Sequence, residues 1–236
     1  MVQATTTANY SSEAQTATQA LWNDYWDSTD NVFNNDFPLT VAQPGQSGYQ
    51  WDYWWQANAL YALADAADST NATTYNTDIA NLYNGIQSEN NAVYGNKQFL
   101  DNYNDDEGWM GIAFMHAYHG LGTAPASTQA FPVAPVLDAG QTKGTIPFVQ
   151  SAETIFSDVM KSWTPEGGIT WNKPGAGSSY NPFYRNTAAN MTAAILGADL
   201  YEATQHQSYL AVAEQLYNCK RQILHTFRQR ATTERM

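Results

Sequence analysis

The stretch Asp105-Asp106-Glu107-Gly108-Trp109-Met110-Gly111-Ile112-Ala113-Phe114-Met115-His116-Ala117-Tyr118 decides the fold. Its spacing predicts a helix from near Asp106 to Tyr118, yet beyond Glu107 it carries no acid, lysine or arginine on any face. A helix apolar all round is covered on every side. Two further segments share this character: Asp52–Ala67, with Trp55, Ala59, Ala62, Leu63 and Ala66, and the Ala-rich run Asn186–Ala203. Between them lie ordinary amphipathic helices, predicted at Ser12–Trp26, Thr77–Ser88, from Pro147 through Ile155 and Val159 to Trp163, and at Ser208–Leu224. Buried helices alternating with one-sided ones fit a two-layer toroid of helical hairpins, in which outer helices cover inner ones. A plain up-down bundle would repeat one pattern in every helix. The expected class is all-α, with about seven helices and no convincing strands.

The connections are read from their punctuation. Gly120–Gly144 is rich in Gly, Pro, Ala and Thr and is expected to be a long loop, and Gly167-Gly168 and Pro174-Gly175-Ala176-Gly177 mark a second irregular stretch. Five of the ten basic residues fall in the final 17: Lys220, Arg221, Arg228, Arg230 and Arg235. Residues 1–219 are therefore assigned to the toroid domain and 220–236 to a basic tail. Its abrupt change of composition is read as sequence from another frame or an unspliced intron, ahead of a functional basic helix or a solvated end.

Composition narrows the partners. The formal net charge of −12 and a pI near 4.4 repel nucleic acid and anionic membranes. Charged residues and aromatics each make up 14 %, so polarity is carried by Asn, Gln, Ser and Thr. Uncharged polar groups with aromatic faces suit sugars, whose hydroxyls hydrogen-bond and whose C–H faces stack on rings. The single cysteine, Cys219, excludes an internal disulfide scaffold. No apolar run is long enough for a transmembrane helix, and Met1–Thr6 lacks the charged and apolar regions of a signal peptide. The expectation is a secreted or cell-surface protein whose signal is absent from this chain, with sequons at Asn9 and Asn71 in keeping with that setting.

Asp101, Asp105, Asp106 and Glu107 place four acids within seven residues at the entry to the apolar helix. Capping alone explains one acid there, because first-turn carboxylates interact well with the helix dipole. It does not explain a neighbouring pair that repel each other at the toroid interior. Two close carboxylates suit glycoside hydrolysis, one as nucleophile or base and one as proton donor. Repulsion and burial raise one pKa and keep that group protonated. A bell-shaped pH dependence on the acidic side is expected, and electrostatics alone leaves the two roles unassigned.

Tyr103-Asn104-Asp105-Asp106-Glu107-Gly108-Trp109 resembles the Tyr-x-Asp-Asp-x-x-Trp signature of glycoside hydrolase family 76, the endo-α-1,6-mannanases and related fungal wall proteins. Trp55-Gln56-Ala57-Asn58 resembles the family's Trp-Gln segment. Gly167-Gly168-Ile169-Thr170-Trp171-Asn172-Lys173 resembles its Gly-Gly-Ile-Trp-Trp-x-Lys stretch, and Arg185-Asn186-Thr187-Ala188-Ala189-Asn190 its Lys-Asn-x-x-x-Asn helix start. The four occur in order over roughly residues 20–218. The resemblance implies an (α/α)6 toroid and a retaining cleavage of α-1,6-mannosidic linkages, with Asp105 as nucleophile and Asp106 as general acid/base. Trp55, Gln56, Tyr103, Trp109, Trp171, Asn186 and Asn190 are then expected to contact mannan or manno-oligosaccharide. The Asn190-Met191-Thr192 sequon would go unused, since a glycan there would block the groove.

Two departures carry consequences. Thr170 replaces the first Trp of the family's tandem pair. A full six-hairpin toroid takes about twelve helices, so about seven predict an open ring with the apolar faces of its inner helices exposed.

No cofactor or metal is expected: His116 and His119 stand three apart without a Glu-x-x-His or cysteine partner. No phosphate loop, serine elbow or Cys-His nucleophile pattern is present. The alternatives to a hydrolase are a wall transglycosidase of the same family, a non-catalytic mannan-binding protein and a helical scaffold for protein partners.

Overall fold

The computed structural model describes residues 10–38, 52–70, 74–95, 97–122 and 148–218. The Asn9 and Asn71 sequons, most of the expected 120–144 loop and the basic tail lie outside these residues. The described chain is all-α. Its helices are α1 (Tyr10–Tyr25), α2 (Tyr53–Thr70), α3 (Thr74–Tyr94), α4 (Asn104–Gly122), α5 (Phe148–Met160), α6 (Thr187–Thr204) and α7 over 207–218.

The two layers follow from the patterning. Helix α4 packs on α2, α5 and α6, and α2 also packs on α1 and α3. The sparsely charged α2, α4 and α6, which carry no lysine or arginine, form the inner layer. These inner helices run parallel, as their contacts advance together. Trp171 and Asn186, beside the start of α6, reach Asp105 in the first turn of α4. Further along, a Cβ on Gly108 would fall 2.0 Å from Thr192 Oγ1, and one on Gly111 2.4 Å from a Leu196 methyl. Between α2 and α4, Tyr61 and Asp65 meet His116, and the Ala64 carbonyl meets Gly120. All three inner N-termini therefore open at one end, where their dipoles favour negative charge.

The core between the layers is aromatic. Tyr83 of α3, Phe99, Phe114 of α4 and Phe148 of α5 interlock with centroids 4.7–6.0 Å apart. Leu60, Leu63, Ile79, Ile86 and Phe114 are completely buried, each contributing about 1.5–3 kcal/mol of transfer free energy. Toward the ring interior, Trp54, Trp55, Tyr61, Trp109 and Ile195 remain 37–44 % exposed.

The structure corrects two details. Gly120–Gly122 belong to α4 rather than to the loop. Trp163 is not helical: it forms an isolated bridge with Ile169, and Pro174–Ser179 form a short 3-10 turn kinked at Gly177. The class is all-α as expected, and the strands among the described residues are a minimal ribbon pairing β1 (Trp26–Asp27) with β2 (Val32–Phe33). An Asp27 carboxylate accepting from Thr29 N, and Asn31 at a left-handed φ of 58°, close that ribbon. Two-residue strands carry no readable alternation.

Candidate active site

Asp105 and Asp106 occupy the first turn of α4, at the open end of the inner helices. The chain enters this turn locked to the segment before α6. Tyr103 pairs with Asn172, Asn104 N donates to Trp171 O (2.9 Å), and Asn104 Nδ2 donates to Thr170 O (2.9 Å). These bonds bring the signature and the Gly-Gly-Ile stretch into one site.

The two acids have different surroundings. Asp105 Oδ2 accepts from Trp171 Nε1 (2.9 Å) and from Asn186 Nδ2 (3.0 Å), while Oδ1 accepts from Asp106 N (3.2 Å). Among the described residues Asp106 has no such pair of donors. Burial pushes its carboxyl up to about 8, and the charges of Asp101, Asp105 and Asp52 add to the rise. The site thus holds one carboxylate braced by N–H donors next to one kept protonated near neutrality.

A buried ion network supports the turn. Glu107 is fully buried, and its Oε1 accepts from Asp101 N (2.7 Å) and pairs with Lys173. The Lys173 ammonium also binds Asp158 and the Asp101 carbonyl (3.0 Å). Burial drives Glu107 up to about 8 against the opposing pull of Lys173. Asp101 is raised by burial despite amide bonds from Asn102 and Tyr103. The segment before α4, α4 itself and α5 meet on this one lysine.

The other predicted residues divide in two. Tyr103 and Trp171 face each other beside Asp105 with centroids 5.2 Å apart. Asn186 both caps α6, accepting from Ala189 N (2.8 Å), and holds Asp105. Trp109 lies one turn beyond Asp105 on α4, and Trp55 lies in the first turn of α2; each is 40 % exposed. Gln56 and Asn190 do not present themselves to a ligand. The buried Gln56 amide accepts from Phe33 N (2.9 Å) and donates to Phe33 O (2.7 Å). Buried Asn190 likewise accepts from Ile169 N (2.8 Å) and donates to Ile169 O (2.9 Å). Both amides are spent on backbone, fixing the β-ribbon and the Ile169 turn.

Sequence reasoning passed over Asp52, Trp54 and Lys173 as site residues. Asp52 sits at the entry to α2, bonded by Asn35, with burial raising its pKa, and its charge reaches Asp106. Trp54 packs edge-on against Trp55 at 5.6 Å. Lys173 stood within a quoted motif, and the four acids around it were the available signal. His116 binds Asp65 Oδ1 (2.9 Å) and stacks on Tyr61, away from the acid pair.

The sequence profile of glycosyl hydrolase family 76 matches residues 9–229. A putative mannan endo-1,6-alpha-mannosidase of Schizosaccharomyces pombe is 24 % identical over 170 residues, 70 % of this chain and 34 % of that protein. A mannan endo-1,6-alpha-mannosidase of Candida glabrata is 28 % identical over 170 residues, again 70 % and 34 %. Among solved structures, an inactive variant of a Salegentibacter α-1,6-mannanase, bearing two consecutive aspartate substitutions and bound to α-1,6-mannotriose, superposes with a TM-score of 0.66. It is 22 % identical, covering 89 % of this chain and 50 % of its own. That likeness shows the helical fold. The chain spans about a third of the length of these curated relatives and about half of that structure.

Proposed function

The chain belongs to glycosyl hydrolase family 76, and from that premise we propose that it cleaves α-1,6-mannosidic linkages of mannan with retention, through Asp105 and Asp106. The observation that carries this reading is the sorting of two adjacent carboxyls, one held by Trp171 and Asn186 and the other pushed up to about 8 by burial. In the first step Asp105 attacks the anomeric carbon as the Asp106 proton passes to the leaving glycosidic oxygen, giving a mannosyl ester on Asp105. In the second, Asp106 takes a proton from water, whose oxygen attacks the anomeric carbon and frees Asp105. The two relatives named as mannan endo-1,6-alpha-mannosidases support the substrate class. The Salegentibacter mannanase, inactive with two consecutive aspartates replaced, supports the residue pair. Tyr103, Trp171, Trp55 and Trp109 would offer ring faces to the sugars. Action outside the cell fits the expected secretion and the acidic surface.

Linear α-1,6-mannan is the test substrate. Turnover should fall as pH rises through about 8, where Asp106 loses its proton. That limb lies higher than the acid-side curve expected from the sequence, because burial outweighs the usual carboxylate value. Asp105→Asn should lower turnover by roughly 10³-fold or more while mannotriose still binds. Unchanged turnover in that variant rejects the mechanism. Mass spectrometry with an added mannan acceptor separates hydrolysis from transfer to a sugar hydroxyl, since both use the same acid pair.

A further inference from the structure

Trp171 is also the start of a surface leading away from the acid pair. Its ring meets both Tyr103 and Tyr184, at 5.2 and 5.6 Å, and its backbone N–H donates to Tyr184 O (2.8 Å). Beyond Tyr184 the chain keeps large rings in water: Tyr184 is 49 % exposed, Tyr180 36 % and Phe183 82 %. A phenylalanine left this open adds nothing to the core. Beside it lies a cavity of about 390 Å³ walled by Trp163, Pro165, Pro174, Tyr180, Pro182 and Phe183. That size falls within the range of small-molecule sites, roughly 300–1,000 Å³.

The cavity is built on fixed backbone. Thr164 N donates to Gly168 O (2.9 Å), and Trp163 pairs with Ile169. The fully buried Asn172 donates to Ser179 O (2.8 Å) and accepts from Asn181 N (3.2 Å), which holds the Tyr180–Phe183 wall. The charged residues at its margin are paired: Lys161 with Asp158, and Glu166 with Arg185. Ser162, Thr164, Thr170 and Asn172 also line it, each with its side chain bonded within the protein, and ring and proline faces complete the wall. Such faces match the C–H side of a pyranose, and a net charge of −12 disfavours a polyanion.

We propose that this cavity is an accessory binding site for a further stretch of the α-1,6-mannan chain, joined to the cleavage site by the Tyr103–Trp171–Tyr184 shelf. The proposal rests on the mannan reading above, and the ring contact of Trp171 with Tyr184, the chain neighbour of the cavity's Phe183, favours this ligand over an apolar protein segment. The accessory site holds a long polymer and is out of play for a short oligosaccharide that fills only the cleavage site.

The full 236-residue chain is assayed as wild type, Phe183→Ala, Tyr180→Ala and Phe183→Trp, on linear α-1,6-mannan and on α-1,6-mannotriose. Each alanine variant should raise KM for mannan about tenfold, the scale of one lost ring contact, and leave kcat/KM for mannotriose within twofold. Phe183→Trp should restore the mannan value. Equal losses on both substrates, or no change on either, overturn the proposal. Electrophoresis through gels containing mannan reads binding without turnover, and Phe183→Ala should be retarded less than wild type. Cleavage of mannotriose with retardation indifferent to Phe183 removes the accessory site alone. No cleavage by the wild type, with retardation that depends on Phe183, removes the hydrolase reading and leaves the site standing. No cleavage and no retardation removes both.

Discussion

Asp105 and Asp106 are the same side chain one residue apart, and their environments give them opposite tasks. Trp171 and Asn186 aim two N–H groups at Asp105, whereas Asp106 is enclosed among other carboxylates. A buried acid with a raised pKa weakens the fold as pH rises. Above the unfolded value near 4 the unfolded chain releases a proton that the folded chain keeps, so stability falls until pH reaches about 8. Asp106→Asn should therefore be more stable than wild type at pH 7, by as much as about 4 kcal/mol, and near equal at pH 4. Urea melts at the two pH values check this. A gain of the same size at both would remove burial of Asp106 as its cause. The presence of an acid cluster was legible in residues 101–107. The donors to Asp105 were not tied to it by spacing, as they come from 66 and 81 residues away. Gln56 and Asn190 show the converse: motif residues whose amides the fold spends on the backbone of Phe33 and Ile169.

Among the elements, α4 sets the geometry, because its apolar surface lets α2, α5 and α6 close around it. Gly108 permits the near approach to α6, since any Cβ would meet Thr192. Gly108→Ala should cost about 1–3 kcal/mol through overpacking. It should also reduce turnover more than mannotriose binding, because pushing α6 outward draws Asn186 from Asp105. Denaturant midpoints and steady-state kinetics read the two effects, and a silent substitution would mean that α6 is not held at this contact. Helix character was readable in the sequence, but helix ends were less so. α3 runs Thr74–Tyr94, past its apolar periodicity, because Asn90 and Asn91 bond the chain at Gln98 and Leu100 beyond it.

On the scale of the molecule, acids raised by burial outnumber the lysines and arginines among the described residues. Burial raises Asp52, Asp78, Glu89, Asp101, Asp106, Glu107 and Asp199. Asp158 is buried too, but Lys161 and Lys173 outweigh that and lower it. The raised groups contribute most below pH 4 and progressively less as pH climbs toward their folded values. Asp158 contributes in the opposite sense, above its unfolded value. With a net charge of −12 adding self-repulsion, the melting temperature should be about 5 °C or more higher at pH 5 than at pH 8. Calorimetry at matched ionic strength tests this, and a higher value at pH 8 would mean that the cation-paired acids dominate.

The sequence by itself determined the helices, their sorting into buried and covering layers, and the acid cluster at one helix start. Each is written in local composition and in a repeat of 3.6 residues. Only the tertiary structure decided which acid is braced and which is enclosed, that Lys173 joins Glu107, Asp101 and Asp158, and that Trp171 borders both Asp105 and the Tyr180–Tyr184 surface. Those relations depend on where distant segments come to rest, and hydrogen-bond donors and desolvation act over a few ångströms in space, whatever the separation along the chain.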